Sequence, residues 1–271
     1  MIAPVVVSVG AATHTGLRRR LNEDSFLAQA PLFLVADGMG GHQAGDVASA
    51  AVIDVFRPLA GRAVLTVDDV GFAVARARSA VEAIAGDGAS RAGTTLSGVA
   101  ITAVDGVGYW LAVNIGDSRT YRLAEGRLEQ ISVDHSVVQE LIDAGELLSD
   151  DAQRDRRRNI ITRALGAGSD GEADYWMIPA EAGDRLLVCS DGLSSEVPDA
   201  LIHDVLRRSE DAQAAADRLI ALALERGGRD NVTAIVIDAV HVSARALGAA
   251  DDESDIDSDT RPRAGATGGV R

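Results

Sequence analysis

Carboxylates recur in this chain where apolar, strand-like runs meet polar turns. Five stretches carry them: Asn22-Glu23-Asp24-Ser25, Val35-Ala36-Asp37-Gly38-Met39-Gly40-Gly41-His42, Asn114-Ile115-Gly116-Asp117-Ser118-Arg119, Cys189-Ser190-Asp191-Gly192-Leu193 and Arg229-Asp230-Asn231. Asp37 leaves the run Val35-Ala36 where a buried strand would reach solvent. Gly38, lacking a side chain, can bring its carbonyl close to an ion. Asp191 repeats that arrangement, and Asp230 precedes another apolar run. Taken singly, each stretch also reads as an ordinary turn or a solvated strand end. Taken together, with no His or Cys cluster to compete, they point to one shared site built from oxygen donors.

Oxygen donors favour Mg²⁺ or Mn²⁺ over Zn²⁺ or Cu²⁺. Two such ions about 4 Å apart, bridged by one carboxylate, would hold a water and lower its pKa, a nucleophile suited to phosphoester hydrolysis. A phosphate needs a further cation. Arg19, three residues before Asn22, offers a guanidinium fork for two phosphate oxygens, although Arg18, Arg19 and Arg20 also read as a basic surface cluster. His42 either protonates the leaving oxygen or makes a local hydrogen bond at a helix start.

These residues must be positioned by a sizeable fold. The chain has 271 residues, 46% of them apolar, enough for one large domain or two small ones. With 26 basic and 41 acidic residues, net charge is −15, which argues against nucleic acid or an anionic membrane as the main partner. Every basic residue is Arg, a compositional bias without mechanism. Cys189 is the only cysteine, so no internal disulfide forms. Its place in Leu186-Leu187-Val188-Cys189 predicts a buried thiol and is compatible with a cytoplasmic location. No run approaches the roughly 20 apolar residues of a membrane helix, and Met1–Val7 lacks the basic region of a signal peptide.

Short apolar runs predict strands within 4–37. Val47, Ala48, Ala51, Val52, Val55 and Phe56 predict a helix stopped near Pro58, and Val70, Val74, Ala77, Val81 and Ile84 a second, ended by Gly86-Asp87-Gly88. Residues 93–133 read as a β-meander in which Asp117 is a hairpin residue. Residues 136–165 turn helical and polar, and Asp150 to Arg158, without an apolar face, reads as a mobile surface flap. Strands at 174–178 and 185–190, helices near 199–208 and 211–226, and a strand Val232 to Val240 complete the fold. Strands cluster instead of alternating with helices, so the class is α+β, antiparallel sheets packed together with helices outside. Residues 244–271 open with the acidic run Asp251–Asp259 and are expected to be a disordered, solvating tail.

In order, Gly16-x-x-Arg19-x-x-Asn22-Glu23-Asp24-Ser25, the Asp37-Gly38 stretch, Gly93-Thr94-Thr95-Leu96, the Asp117 stretch, Ser190-Asp191-Gly192-Leu193 and Arg229-Asp230-Asn231-Val232-Thr233 resemble the motifs of bacterial type 2C metal-dependent protein phosphatases, over about residues 5 to 240. The resemblance implies a four-layer α-β-β-α sandwich of two antiparallel sheets flanked by helices, with a small helical flap at about 134–166 beside a metal cleft. It makes residues 1–243 the catalytic domain. It implies two Mn²⁺ or Mg²⁺ ions and a weaker third. Asp37 would bridge the pair, Gly38 would offer its carbonyl to one ion, and Asp191 and Asp230 would hold the other. Glu23 and Asp24 would act through metal-bound waters, Asp117 with Asp191 would take the third ion, and Arg19 would bind phosphate. The implied activity is removal of phosphate from phosphoserine and phosphothreonine in proteins, opposing a Ser/Thr kinase, by a monomer. Two departures stand out: His14 where an acidic residue is common, and Asp155-Arg156-Arg157-Arg158 where the flap often carries His-Pro. A catalytically dead phosphoprotein-binding relative, or a hydrolase of small phosphoesters, are the other readings. The first should have lost Asp37, Asp191 or Asp230, and all three are present.

Overall fold

Strand alternation sorts the apolar side chains into three separate cores, and three cores require four layers. On strand β3 (Leu32–Met39), Leu32, Leu34 and Ala36 face one way and Phe33 and Val35 the other. The first set joins a core with helices α1 (Gly45–Phe56) and α2 (Val67–Ala85). The second set meets Leu186, Val188, Ile235 and Ile237 from the opposite sheet. Leu187, Cys189, Ala234 and Val236 turn away from that middle layer toward α5 (Asp199–Arg208) and α6 (Ala212–Glu225). This computed structural model describes residues 3–40, 44–85, 92–148, 151, 155–157, 160–169 and 171–243. The Gly86-Asp87-Gly88 stop, most of 150–158, His42 and the 244–271 tail lie outside the described residues.

The first sheet has the order β1-β12-β11-β7-β8, comprising Val5–His14, Val232–Val242, Arg185–Cys189, Arg119–Ala124 and Arg127–Gln130. The second runs β10-β6-β5-β3-β4-β9: Asp174–Pro179, Val107–Ile115, Leu96–Val104, β3, Gly93–Thr94 and Leu165–Gly166. Strand β2 (Asp24–Gln29) pairs the free side of β3. All named pairings are antiparallel. The four-layer α+β sandwich expected from the motifs is therefore the fold. Among the described residues no helix is long and apolar enough to cross a membrane.

Three readings are corrected. Residues 93–133 are not one meander, because β5 and β6 belong to one sheet and β7 and β8 to the other. The chain crosses between sheets at Gly116-Asp117-Ser118, so Asp117 sits at the mouth between them and not in a hairpin. Val47 is 48% exposed; the buried face of α1 is Ala48, Ser49, Val52, Ile53 and Phe56, a stripe of i+3 and i+4 steps that passes Val47 by. In the flap, helix α3 covers only Val137–Asp143, where Ser136 caps Gln139 N–H and Gly145 adopts φ +71° beyond the end.

Candidate metal centre and active site

The β2–β3 register sets the centre of the site. Asp24 lies directly opposite Asp37, two residues along each strand from Phe26 opposite Val35. Alternation puts both carboxylates on the face that looks into the middle layer. Like charges facing across an antiparallel pair are unfavourable without a countercharge. The second sheet brings Asp191, first residue of the short helix α4 (Asp191–Ser194) after β11, and Asp230, two residues before β12. Asp117 arrives from the crossing between sheets.

Arg19, Glu23, Asp37, Gly38, Asp117, Asp191 and Asp230 line a cavity of about 230 Å³. Ile161 of the flap borders it. Two other hollows, of 260 and 390 Å³, lie along β7, β8 and α5 and bring no comparable set of carboxylates together. Asp24 stands behind the cavity wall. Its Oδ2 accepts from Ser190 Oγ at 2.8 Å and Thr233 Oγ1 at 2.7 Å. His42 lies outside the described residues, so its predicted place is not described.

Several residues hold this arrangement without being carboxylates of the cavity. Thr95 is opposite Asp37: its N–H donates to the Asp37 carbonyl at 2.9 Å, and its Oγ1 accepts from Asp37 N–H at 3.0 Å and pairs with Ser118 Oγ at 2.8 Å. Asn231 donates to the Thr15 and Leu21 carbonyls, both at 2.9 Å, and accepts from Glu23 N–H at 2.9 Å. It thereby folds the Arg19 loop onto the start of β12. Gly38 N–H donates to the Glu23 carbonyl at 3.1 Å, and Gly45 passes so close that a side chain there would strike Glu23 Oε1 and the Gly38 carbonyl. Those two oxygens can stay adjacent only because position 45 is glycine. Glu196 accepts from Arg229 N–H, Nε and Nη2 at 3.1, 2.7 and 2.9 Å and so fixes the turn before Asp230. The Thr95 and Asn231 motifs were visible in the sequence, but their bonding roles were not; Glu196 gave no signal.

Electrostatics mark the cluster as short of positive charge. Burial, with neighbouring carboxylates added, pushes Asp37 and Asp117 well above the usual carboxyl range. Burial raises Asp24 to about 7 and, with Asp230 beside it, Asp191 to about 6. Glu23 is raised for the same first cause. Among the described residues, the cation that lines the cavity is already engaged: Arg19 Nη2 donates to Asp230 Oδ2 at 2.7 Å, and Asp230 Oδ1 accepts from Asn231 N–H at 2.8 Å. Arg19, the candidate cation for phosphate, here also holds a candidate metal ligand.

These donors fit a hard divalent cation. Asp24 Oδ1 and Asp117 Oδ1 are buried and accept no hydrogen bond, a costly state for an acceptor unless something positive approaches. The set is all oxygen, as Mg²⁺ or Mn²⁺ requires. As the side chains stand, no three His, Cys, Asp or Glu residues among those described are drawn to coordination spacing.

Known proteins resemble this chain in sequence and in fold. The chain is 42% identical over 242 residues to the serine/threonine protein phosphatase PstP of Mycobacterium tuberculosis, covering 87% of this chain and 46% of that protein. It is 35% identical over 218 residues to the serine/threonine phosphatase stp of Listeria welshimeri, covering 77% and 84%. A crystal structure of the catalytic domain of PstP in complex with two manganese ions superposes with a TM-score of 0.78 at 38% identity, over 88% of this chain and all of that one. The chain thus spans about half the length of the mycobacterial relative. The family description "Protein phosphatase 2C" matches residues 17–234, and the chain belongs to that family.

Proposed function

We propose that residues 1–243 form a Mn²⁺- or Mg²⁺-dependent phosphatase domain acting on phosphoserine and phosphothreonine in proteins, including those phosphorylated by a Ser/Thr kinase. The observation that carries this reading is Asp37, with Asp24 facing it from behind the wall, joined by Asp117, Asp191 and Asp230 around a cavity that also holds Arg19. Asp37 would bridge two ions, the Gly38 carbonyl would serve one, and Asp191 and Asp230 the other. Glu23 and Asp24 would act through intervening waters, and Asp117 with Asp191 would take a weaker third ion. Bound there, the cations would lower the pKa of water and offset the charge of a transferring phosphoryl group.

The chain's own residues do the rest. Arg19 reaches the cavity with a guanidinium whose geometry matches two phosphate oxygens. Ile161 and the flap limit how a peptide can approach. His42 is retained as proton donor to the leaving oxygen on its sequence position alone. The manganese-bound PstP catalytic domain supports the choice of metal. The test is hydrolysis of phosphoserine, phosphothreonine and phosphotyrosine peptides side by side, with chelator and with Mn²⁺ or Mg²⁺. Turnover of the first two only with metal is expected. Full turnover after thorough chelation would sink the metal reading, and preference for small phosphoesters would reassign the substrate.

A further inference from the structure

Among the buried groups to which this reading gives no role, His135 makes the most connections to the site. Its side chain is 3% exposed, and five polar contacts meet the residue. The backbone N–H donates to the Gly116 carbonyl at 2.9 Å, and Nδ1 accepts from Gly116 N–H at 3.2 Å. The carbonyl accepts from Thr162 N–H at 2.9 Å, and Nε2 faces Asp174 Oδ2 at 3.0 Å, with Arg163 Nη1 at 3.3 Å from both Nε2 and Asp174 Oδ1. Because Nδ1 accepts, the ring proton belongs on Nε2 and Asp174 takes it. Both polar groups of Gly116 are therefore held by one residue, with Asn114 Nδ2 adding a second donor to the carbonyl at 3.1 Å. Gly116 sits at φ +106° with Thr95 packed where a side chain would go, so only glycine fits this turn. The next residue is Asp117, whose Oδ1 is buried and accepts no hydrogen bond. Its aim is set by the backbone that carries it.

We infer that His135 is the positioning residue for Asp117: its ring holds the Ile115–Gly116 peptide through Gly116 N–H, its backbone N–H holds the Gly116–Asp117 peptide through the Gly116 carbonyl, and together they link this turn to the flap segment bordering the cavity. The link runs from His135 to Thr162, next to Ile161, which itself bridges to Ser136. Arg119 braces the same step, its Nε and Nη2 donating to the Asp134 carboxylate at 2.9 and 2.6 Å. The consequence for metal binding rests on the proposed role of Asp117 as a cation ligand; the positioning does not.

The test uses the full chain with His135→Ala, His135→Gln and His135→Asn. Asn places an amide oxygen near the Nδ1 position and can accept from Gly116 N–H; Gln places its amide near Nε2. Without metal, the Gly116 amide should exchange about tenfold faster in the Ala and Gln variants, the cost of one buried hydrogen bond, and remain protected in the Asn variant. With Mn²⁺ alone, calorimetric titration should show the Asp117-dependent ion bound about 10- to 100-fold more weakly in His135→Ala, as expected for loss of a group that orients a ligand, and recovered in His135→Asn. An unchanged Gly116 amide in His135→Ala refutes the positioning. Equal weakening of every Mn²⁺ ion in all three variants marks a general structural defect and also refutes it. Identical Mn²⁺ stoichiometry in wild type and Asp117→Asn, with the amide responding as expected, refutes the cation role of Asp117 while leaving the positioning intact.

Discussion

Stability of the metal-free protein should fall as pH rises from about 5 to about 8, and Asp24→Asn should remove much of that fall. Asp24 is buried opposite Asp37, and its carboxyl is raised from an ordinary 3.8 to about 7, chiefly by burial. A carboxyl raised in the folded state adds nothing below the unfolded value, where both states are protonated. Its stabilisation relative to the ionised state is lost as pH climbs through the folded value. The gap from 3.8 to about 7 corresponds to roughly 4 kcal/mol at full ionisation, at about 1.4 kcal/mol per pH unit. Somewhat under 2 kcal/mol of it has developed by about pH 5, which leaves roughly 2.5 kcal/mol to appear between there and about pH 8. An Asn side chain still offers an oxygen to Ser190 and Thr233 and carries no charge, so the variant keeps the fold. The assay is urea unfolding of chelated wild type and variant across this range, with the difference between them as the readout. Mn²⁺ should flatten the wild-type curve, because a bound cation replaces the proton as countercharge. A difference that stays constant from about pH 5 to 8, or that reverses sign, refutes the electrostatic reading of the cluster.

Further outcomes follow from the same geometry. Asp191→Asn should lower kcat by about 100-fold or more in the Mn²⁺ assay, while its metal-free Tm rises because a desolvated charge is gone. Glu196→Gln should lower stability by about 1 to 2 kcal/mol in urea unfolding, since a buried carboxylate loses its charge-assisted bonds to a half-exposed Arg229. The same variant should weaken Mn²⁺ binding in calorimetry by loosening the turn before Asp230; tight, unchanged binding would remove Glu196 from the support of the site.

The acidic strand ends were legible because a strand that leaves a buried run must end in something polar, and this chain repeatedly chose carboxylates. The helices were legible from their stripes, although spacing alone admitted Val47 to a face that α1 turns to solvent. Period-two alternation says that a run is a strand but not which sheet it joins, so the change of sheet at Asp117 was invisible. The helix at Asp191 is a single turn, too short for a 3.6-residue pattern to register. Least legible were bonds between distant positions. Asn231 to Thr15, Arg229 to Glu196 and His135 to Asp174 depend on where loops meet, and only their motif membership, where they had any, drew attention to them.

Arg19 and Asp230 show how the parts depend on one another. Arg19 cannot give the same donors to Asp230 and to a phosphate, and Asp230 cannot turn fully to a cation while it accepts from both Arg19 and Asn231. Release of Asp230 to a cation therefore frees the guanidinium, so metal loading should favour phosphate capture. The pair is half exposed at 48% and 35%, which limits its strength to about 1 kcal/mol, or a factor of about five in affinity. Arg19→Ala should consequently raise KM for a phosphothreonine peptide while tightening Mn²⁺ binding to the substrate-free protein by no more than about fivefold. The opposing directions separate the two roles of this side chain. A variant with unchanged KM would place the phosphate elsewhere, and one with weakened Mn²⁺ binding would show that Arg19 orients Asp230 for the metal instead of competing with it.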